Sequence, residues 1–384
     1  MWEVAMKKLI CIAIALAMLL GTSAGAVGLN EELISLSAPS ALLMEKTSRE
    51  IMYEKNAHER LSPASITKIM TMLLIIEDLE AGKVNLEDTV TASLRASSFG
   101  GSCVYLESGE KMTVSEMLKC IAVVSANDCA VAMAEHLSGS EELFVERMNQ
   151  KAKELGMENT HFTNCTGLFD SDEHYTTAYD VALMGRELIS HDIIKNYSTI
   201  WMDSIRNGEF ELTNTNKLVY WYDGCTGLKT GYTSAAKYCL CATAERDGVE
   251  YIAVIMHSDS VNERNQDAET LLNYAFANFT LCPLRPDFEP GSVAVELGKS
   301  PTVEGIYAGD EFALVPKSSA KPEYTLEMSE YVRAPVKAGD VLGTLTVTLA
   351  GDTVAQLPVH AAYDVEALGF GGLFLRLAGS LLGI

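Results

Sequence analysis

Positive charge is scarce in this chain: 29 Lys and Arg stand against 52 Asp and Glu in 384 residues, a formal net charge of −23. Affinity for nucleic acid comes mainly from neutralising phosphates with Lys and Arg, so a nucleic-acid partner is excluded. The deficit does not exclude a small anionic substrate, because one buried cation in a cleft outweighs distant, screened surface charge. Internal repeats and low-complexity tracts are also missing, and 48% hydrophobic with 21% charged residues is an ordinary balance for a folded protein of two domains. There is no G-x-S-x-G elbow to support a histidine-based serine hydrolase, and no H-E-x-x-H for a zinc peptidase. The nine cysteines fit no zinc-ligand spacing. Cys129, Cys239 and Cys241 lie in apolar stretches, where a free thiol behaves as a small hydrophobe, so buried reduced thiols are expected although an oxidising compartment could pair them. No metal and no organic cofactor is implied.

Long apolar runs are equally few. Lys7 and Lys8, the apolar stretch Leu9 to Leu20 and the small residues Ala24, Gly25 and Ala26 form a secretory signal pattern over residues 1–26. The run is shorter than the roughly 20 residues that a membrane span needs, so an exported protein is expected. At the other end, residues 361–384 are apolar with few charges, and Leu368, Leu375 and Leu382 recur seven apart while Phe374, Leu377 and Leu381 follow at three and four. A helix there would present a broad apolar face, which suits an anchor lying on a membrane surface. The same residues could instead seal the preceding domain.

Between these ends the hydrophobic periodicity changes twice. Residues Ala38 to Tyr53 carry two apolar runs around a polar turn, the pattern of a strand hairpin. Ser62 and Pro63 have the form of an N-cap and first helical residue for a buried helix through Ile76, with Gly82 placed to end it. Thr113 to Glu116 forms a capping box, and a further helix is expected over Asp128 to Leu137. Leu228 to Thr233, Tyr238 to Ala244 and Tyr251 to His257 read as core strands, the last two joined by Asp247-Gly248, and a helix follows from Asn262 to Phe279. Pro283, Pro286 and Pro290 mark a boundary, after which short alternating segments such as Gly343 to Leu349 predict a small all-β domain. The expected fold is α+β: an antiparallel sheet flanked by helices over 27–282, then a β domain over 283–360.

Three short motifs occur in order: Ser65-Ile66-Thr67-Lys68, Ser125-Ala126-Asn127 and Lys229-Thr230-Gly231. Each alone is weak, but each falls in a fitting context of helix start, interhelical turn and strand. A serine hydroxyl is a poor nucleophile until a base takes its proton, and three residues along a helix return Lys68 to the face of Ser65. Lysine acts as a base only with a lowered pKa, which burial and a second cation, Lys229, would both produce. Lys229 and the Thr230 hydroxyl would also hold a substrate carboxylate, while Gly231 would leave room for backbone to approach the substrate. The N–H of Ser65, in a first helical turn, suits a developing oxyanion. Ser125 would relay a proton to the departing amine, and Asn127 would orient the substrate amide and Lys68.

These motifs resemble those of the low-molecular-mass penicillin-binding proteins, the serine D-alanyl-D-alanine carboxypeptidases. The likeness extends to PASITKIM at Pro63 to Met70, HYTTAYD at His174 to Asp180 and GLKTGYT at Gly227 to Thr233, and covers roughly residues 38–280. It implies a fold like the β-lactamases and transpeptidases, a trailing β domain, peptidoglycan stem peptides as substrates, β-lactams as inhibitors, and Tyr232 as donor of a second oxyanion N–H. A β-lactamase shares the motifs but needs a deacylating base, and Phe162 to Leu168 carries no Glu. D,D-endopeptidase action uses the same chemistry and stays open, and a catalytically idle envelope scaffold would be expected to lose Ser65, Lys68 or Lys229. His174, in an acidic run with no ligand spacing, is expected in a polar loop.

Overall fold

The hairpin expected near the start of the chain is formed by β1 (Ser40–Glu45) and β2 (Ile51–Lys55), in a computed structural model that describes residues 34–317, 320–374 and 376. The leader lies outside the described residues. Helices α1 (Lys68–Glu80), α2 (Val114–Val123), α3 (Asn127–Ser138), α4 (Glu141–Glu154) and α5 (Ala178–Ser190) follow. Then come β3 (Cys225–Thr233), β4 (Lys237–Arg246), β5 (Val249–Ser258) and α6 (Val261–Asn278).

The five strands form one antiparallel sheet in the order β2-β1-β5-β4-β3, so the first hairpin adds to a later meander. Asp247 (φ 53°) and Gly248 (φ 78°) make the two-residue turn between β4 and β5, both left-handed as a type I′ turn requires. Along β5, alternate side chains reach opposite faces: Ile252 meets α5 near Gly185, and Tyr251 packs edge-on to Phe276 of α6. Cover on both faces explains why β5 reads as a nearly unbroken apolar run. Helix α1 buries ten of its thirteen residues, against α3 and α5 among others, which accounts for its apolar residues on every side. Gly82, at φ 68°, lies just past its end.

The chain divides after Phe279. The second unit holds β6 (Ser292–Glu296), β7 (Thr302–Tyr307), β8 (Pro322–Met328), β9 (Tyr331–Arg333), β10 (Val341–Leu349) and β11 (Asp352–Ala361). They form a six-stranded sheet in the order β8-β10-β11-β7-β6-β9, antiparallel except for the β6–β9 pair. Val293, Val303, Leu342 and Val365 fill one core cluster, and Leu345, Val347 and Leu357 another. The main chain stays tied to this unit as far as Leu368, whose N–H donates to the Leu297 carbonyl at 2.7 Å. Phe370 (90% exposed) and Phe374 (65%) follow on a short helical stretch, while Leu375, Leu377, Leu381 and Leu382 lie outside the described side chains. No helix among the described residues is long and apolar enough to cross a membrane.

The α+β class with its antiparallel sheet and trailing β domain is therefore as expected. The capping box also forms: Thr113 Oγ1 accepts from the Glu116 N–H at 3.1 Å, and Glu116 accepts the Thr113 N–H at 3.0 Å. Thr113→Ala is expected to cost about 1 kcal/mol. In a unit of this size that lowers the calorimetric melting temperature by about 2–4 °C. An unchanged melting temperature would show that the cap contributes nothing to α2.

Candidate active site

Ser65 stands in a 3-10 turn, Ala64–Thr67, that runs straight into α1. This differs from the expected start at Ser62. Pro63 occupies the cap without a side-chain bond, Ser62 donates to Asp170 Oδ1 at 3.0 Å, and Ala64 is left-handed at φ 47°. A left-handed alanine costs roughly 1–2 kcal/mol, so the turn that presents Ser65 is strained and must be held by its neighbours.

Lys68 is the first residue of α1 and is fully buried. Its Nζ donates to Ser65 Oγ at 2.9 Å, to Asn127 Oδ1 at 2.6 Å and to the Thr166 carbonyl at 2.8 Å. Burial lowers its pKa from 10.5 to about 7, against the opposing pull of nearby acidic groups including Asp128. That fall is the work of burial and not of the second cation expected; at Lys229 itself burial, then Lys68 and Arg264, hold the pKa well below its ordinary value. Asn127 is doubly fixed, since its Nδ2 donates to the Gly100 carbonyl at 2.8 Å. Ser125, between α2 and α3, is left-handed at φ 63° and buried, and its hydroxyl has no hydrogen-bond partner among the described residues. A buried unpaired hydroxyl is rare unless a ligand or water completes it.

On β3, Lys229 Nζ donates to the Thr230 carbonyl at 2.9 Å, and Thr230 Oγ1 donates to Thr215 Oγ1 at 2.8 Å. Arg264 of α6 is buried, with its pKa lowered to about 10 by burial, and reaches the carbonyl of Cys239, the residue opposite Gly231. No carboxylate lies within ion-pair distance of Lys68, Lys229 or Arg264 among the described residues. A buried cation without such a partner, as at Lys229 and Arg264, is completed when an anion is bound beside it. Arg264 escaped the sequence reading because it belongs to no motif. Gly231 serves a purpose beyond the one expected: a Cβ there would lie 2.9 Å from the Pro63 carbonyl and 3.1 Å from the Ile66 nitrogen, so the glycine lets β3 press against the Ser65 turn. Tyr232 is 57% exposed and stacks on Tyr238 at 4.4 Å.

His174 is not in an open polar loop. It is buried, its Nδ1 accepts the Thr163 N–H at 3.0 Å, and its Nε2 lies 2.8 Å from Thr67 Oγ1. Burial depresses its pKa to about 4, with His161 adding to the effect, so the imidazole is neutral. The 163–168 segment matters for what it supplies as well as for the Glu it lacks, because Thr166 gives Lys68 a carbonyl. The described cysteines are all free, most of them buried. Among the described residues one group of metal-ligating type, Glu77, Glu187 and His191, is gathered closely enough to share a cation, but it contains none of the motif residues.

A family model for D-alanyl-D-alanine carboxypeptidase matches residues 27–260, and one for the C-terminal domain of penicillin-binding protein 5 matches residues 283–367. The chain is 42% identical over 351 residues to D-alanyl-D-alanine carboxypeptidase DacF of Bacillus subtilis, covering 89% of each chain. It is 33% identical to D-alanyl-D-alanine carboxypeptidase DacC of Escherichia coli, covering 88% of this chain and 86% of that one. Penicillin binding protein 5 from Haemophilus influenzae superposes with a TM-score of 0.77 at 29% identity, over 87% of this chain and 98% of that one.

Gly231→Ala tests the close approach of β3. Backbone stands on the far side of the added methyl, so the strand or the turn must shift. Small displacements of reacting groups cost up to about a hundredfold in rate, and a loss of tenfold or more in acylation by a fluorescent penicillin is expected with the fold retained by circular dichroism. Unaltered acylation would show that the contact does not position the turn.

Proposed function

Since the chain belongs to the D-alanyl-D-alanine carboxypeptidase family and is a serine hydrolase of that class, we propose that Ser65 removes the terminal D-alanine of peptidoglycan stem pentapeptides through an acyl-enzyme. The observation that carries this reading is the 2.9 Å contact of Lys68 Nζ with Ser65 Oγ, made by an amine whose pKa is brought to about 7 by burial. In its neutral form Lys68 takes the Ser65 proton as Oγ attacks the carbonyl of the penultimate D-alanine. The developing oxyanion is met by the backbone N–H groups of Ser65 and Tyr232. Ser125 passes a proton to the departing amino nitrogen, and Asn127 orients both the substrate amide and Lys68. Lys229 and Arg264 receive the terminal carboxylate, which is the anion their unpaired charge requires, and the Thr230 hydroxyl donates to it. Water then releases the shortened peptide from Ser65. A β-lactam follows the same acylation, its carboxylate on the same cations.

Export and attachment belong to the same proposal. The signal pattern in 1–26 supports export to the outer side of the cytoplasmic membrane, where the substrate is, and the apolar residues after Leu368 suit attachment to the membrane surface. Support comes from Phe370 and Phe374, which are exposed where the chain leaves the β domain.

The test of the reaction is mass spectrometry of a D-Ala-D-Ala pentapeptide incubated with the protein, which should lose one alanine. Ser65→Ala should abolish this loss and all labelling by a fluorescent penicillin. Lys68→Arg keeps the charge but cannot deprotonate, so acylation should fall by orders of magnitude. Labelling of Ser65→Ala, or near-normal acylation by the arginine variant, would contradict the mechanism.

The anchor is tested by ending the chain after Gly369, beyond the last main-chain tie to the β domain among the described residues. The shortened protein should remain active on the pentapeptide and stay in the supernatant, while the longer mature chain should sediment with lipid vesicles and be released by detergent. Aggregation or a lowered melting temperature of the shortened protein would assign the segment to the fold.

A further inference from the structure

His174 belongs to none of the three motifs, yet it sits behind the nucleophile and touches both segments that shape the site. Its Nδ1 accepts from the Thr163 backbone N–H, so in the neutral ring the proton is on Nε2. Nε2–H then donates to Thr67 Oγ1 at 2.8 Å, and the Thr67 hydroxyl donates onward to the Ala64 carbonyl at 2.8 Å. The direction of the whole chain follows from one backbone donor, and it ends on the left-handed residue immediately before Ser65. Gly167 shows how closely the two segments meet: a Cβ there would fall 1.8 Å from the Ala64 carbonyl oxygen and 2.6 Å from Thr67 Oγ1. Between Thr163 and Gly167 lies Thr166, whose carbonyl accepts from Lys68.

We propose that His174 is a positioning residue: through Thr67 it clamps the strained turn at Ala64 to the 163–167 segment, and so fixes Ser65 Oγ relative to Lys68 Nζ. The histidine touches no reacting atom and exchanges no proton with substrate. Its burial, its single tautomer and its hydrogen bonds to Thr163 on one side and Thr67 on the other suit it to hold geometry. This rests on Ser65 and Lys68 being nucleophile and base.

The test compares His174→Phe, which keeps a planar ring without either hydrogen bond, with Thr67→Val, which keeps the volume without the hydroxyl, and with the double variant. Each single variant should lower the acylation rate by a fluorescent penicillin about tenfold to a hundredfold, as a misplaced nucleophile does. With the pentapeptide, kcat should fall and KM should hold. The double variant should lose no more than the worse single one, because both break the same chain. His174→Gln, a neutral side chain that can donate to Thr67, should recover most of the rate. Wild-type acylation by a folded His174→Phe or Thr67→Val protein, or multiplicative losses in the double, would overturn the proposal. If His174→Phe does not fold, Thr67→Val decides by the same criterion. Ser65→Ala serves as the control: labelling of that variant would overturn the nucleophile itself, whereas a silent Ser65→Ala beside a fully active His174→Phe would overturn only the clamp.

Discussion

The site depends on the buried amine of Lys68. Lys68 is out of contact with water and is offered three oxygens, from Ser65, Asn127 and Thr166, none of which carries a formal charge. Neutral acceptors satisfy the donors without holding the proton, so burial is free to depress the pKa. The fall from 10.5 to about 7 corresponds to roughly 5 kcal/mol in favour of the neutral amine, at about 1.4 kcal/mol per unit. A carboxylate in place of Asn127 would reverse that balance and leave a charged, inert lysine.

Keeping Lys68 dry requires two pieces of main chain to close on one turn, and glycine makes both approaches possible. Gly231 admits β3 to the Pro63–Ile66 turn, and Gly167 admits the 163–168 segment to Ala64 and Thr67. A side chain at either position would meet backbone. The left-handed Ala64 and Ser125 are local costs that persist because the surrounding packing leaves them no alternative. Lys229 and Arg264, buried without carboxylate partners, express the same trade: folding leaves their charge uncompensated, and an anion would complete it.

Much of this was legible in the sequence because local rules and tertiary structure agree there. The Asp247-Gly248 turn, the Thr113–Glu116 capping box and the apolar β5 each carry their signal within a few residues, and the structure forms all three. The spacing of Ser65 and Lys68 foretold their contact, although the turn is 3-10 and begins later than Ser62 suggested. What stayed hidden depends on distant partners. Arg264 is one residue of an otherwise ordinary helix until α6 packs beneath β4. His174 reads as part of an acidic loop, and only the fold brings it to Thr67, 107 residues earlier. The contact of Gly231 with the Pro63–Ile66 turn could not be read, since it concerns what lies across from the strand and not the strand itself.

The central claim is that the Lys68 amine loses its proton near neutrality because it is buried. Titration of the protein with 13C-labelled lysine, following the side-chain resonance that disappears in Lys68→Arg, measures this directly. The account predicts an inflection near 7, well below the 10.5 of an ordinary lysine. A resonance that keeps its protonated shift until the pH nears 10 would contradict it, and with it the assignment of Lys68 as the base for Ser65.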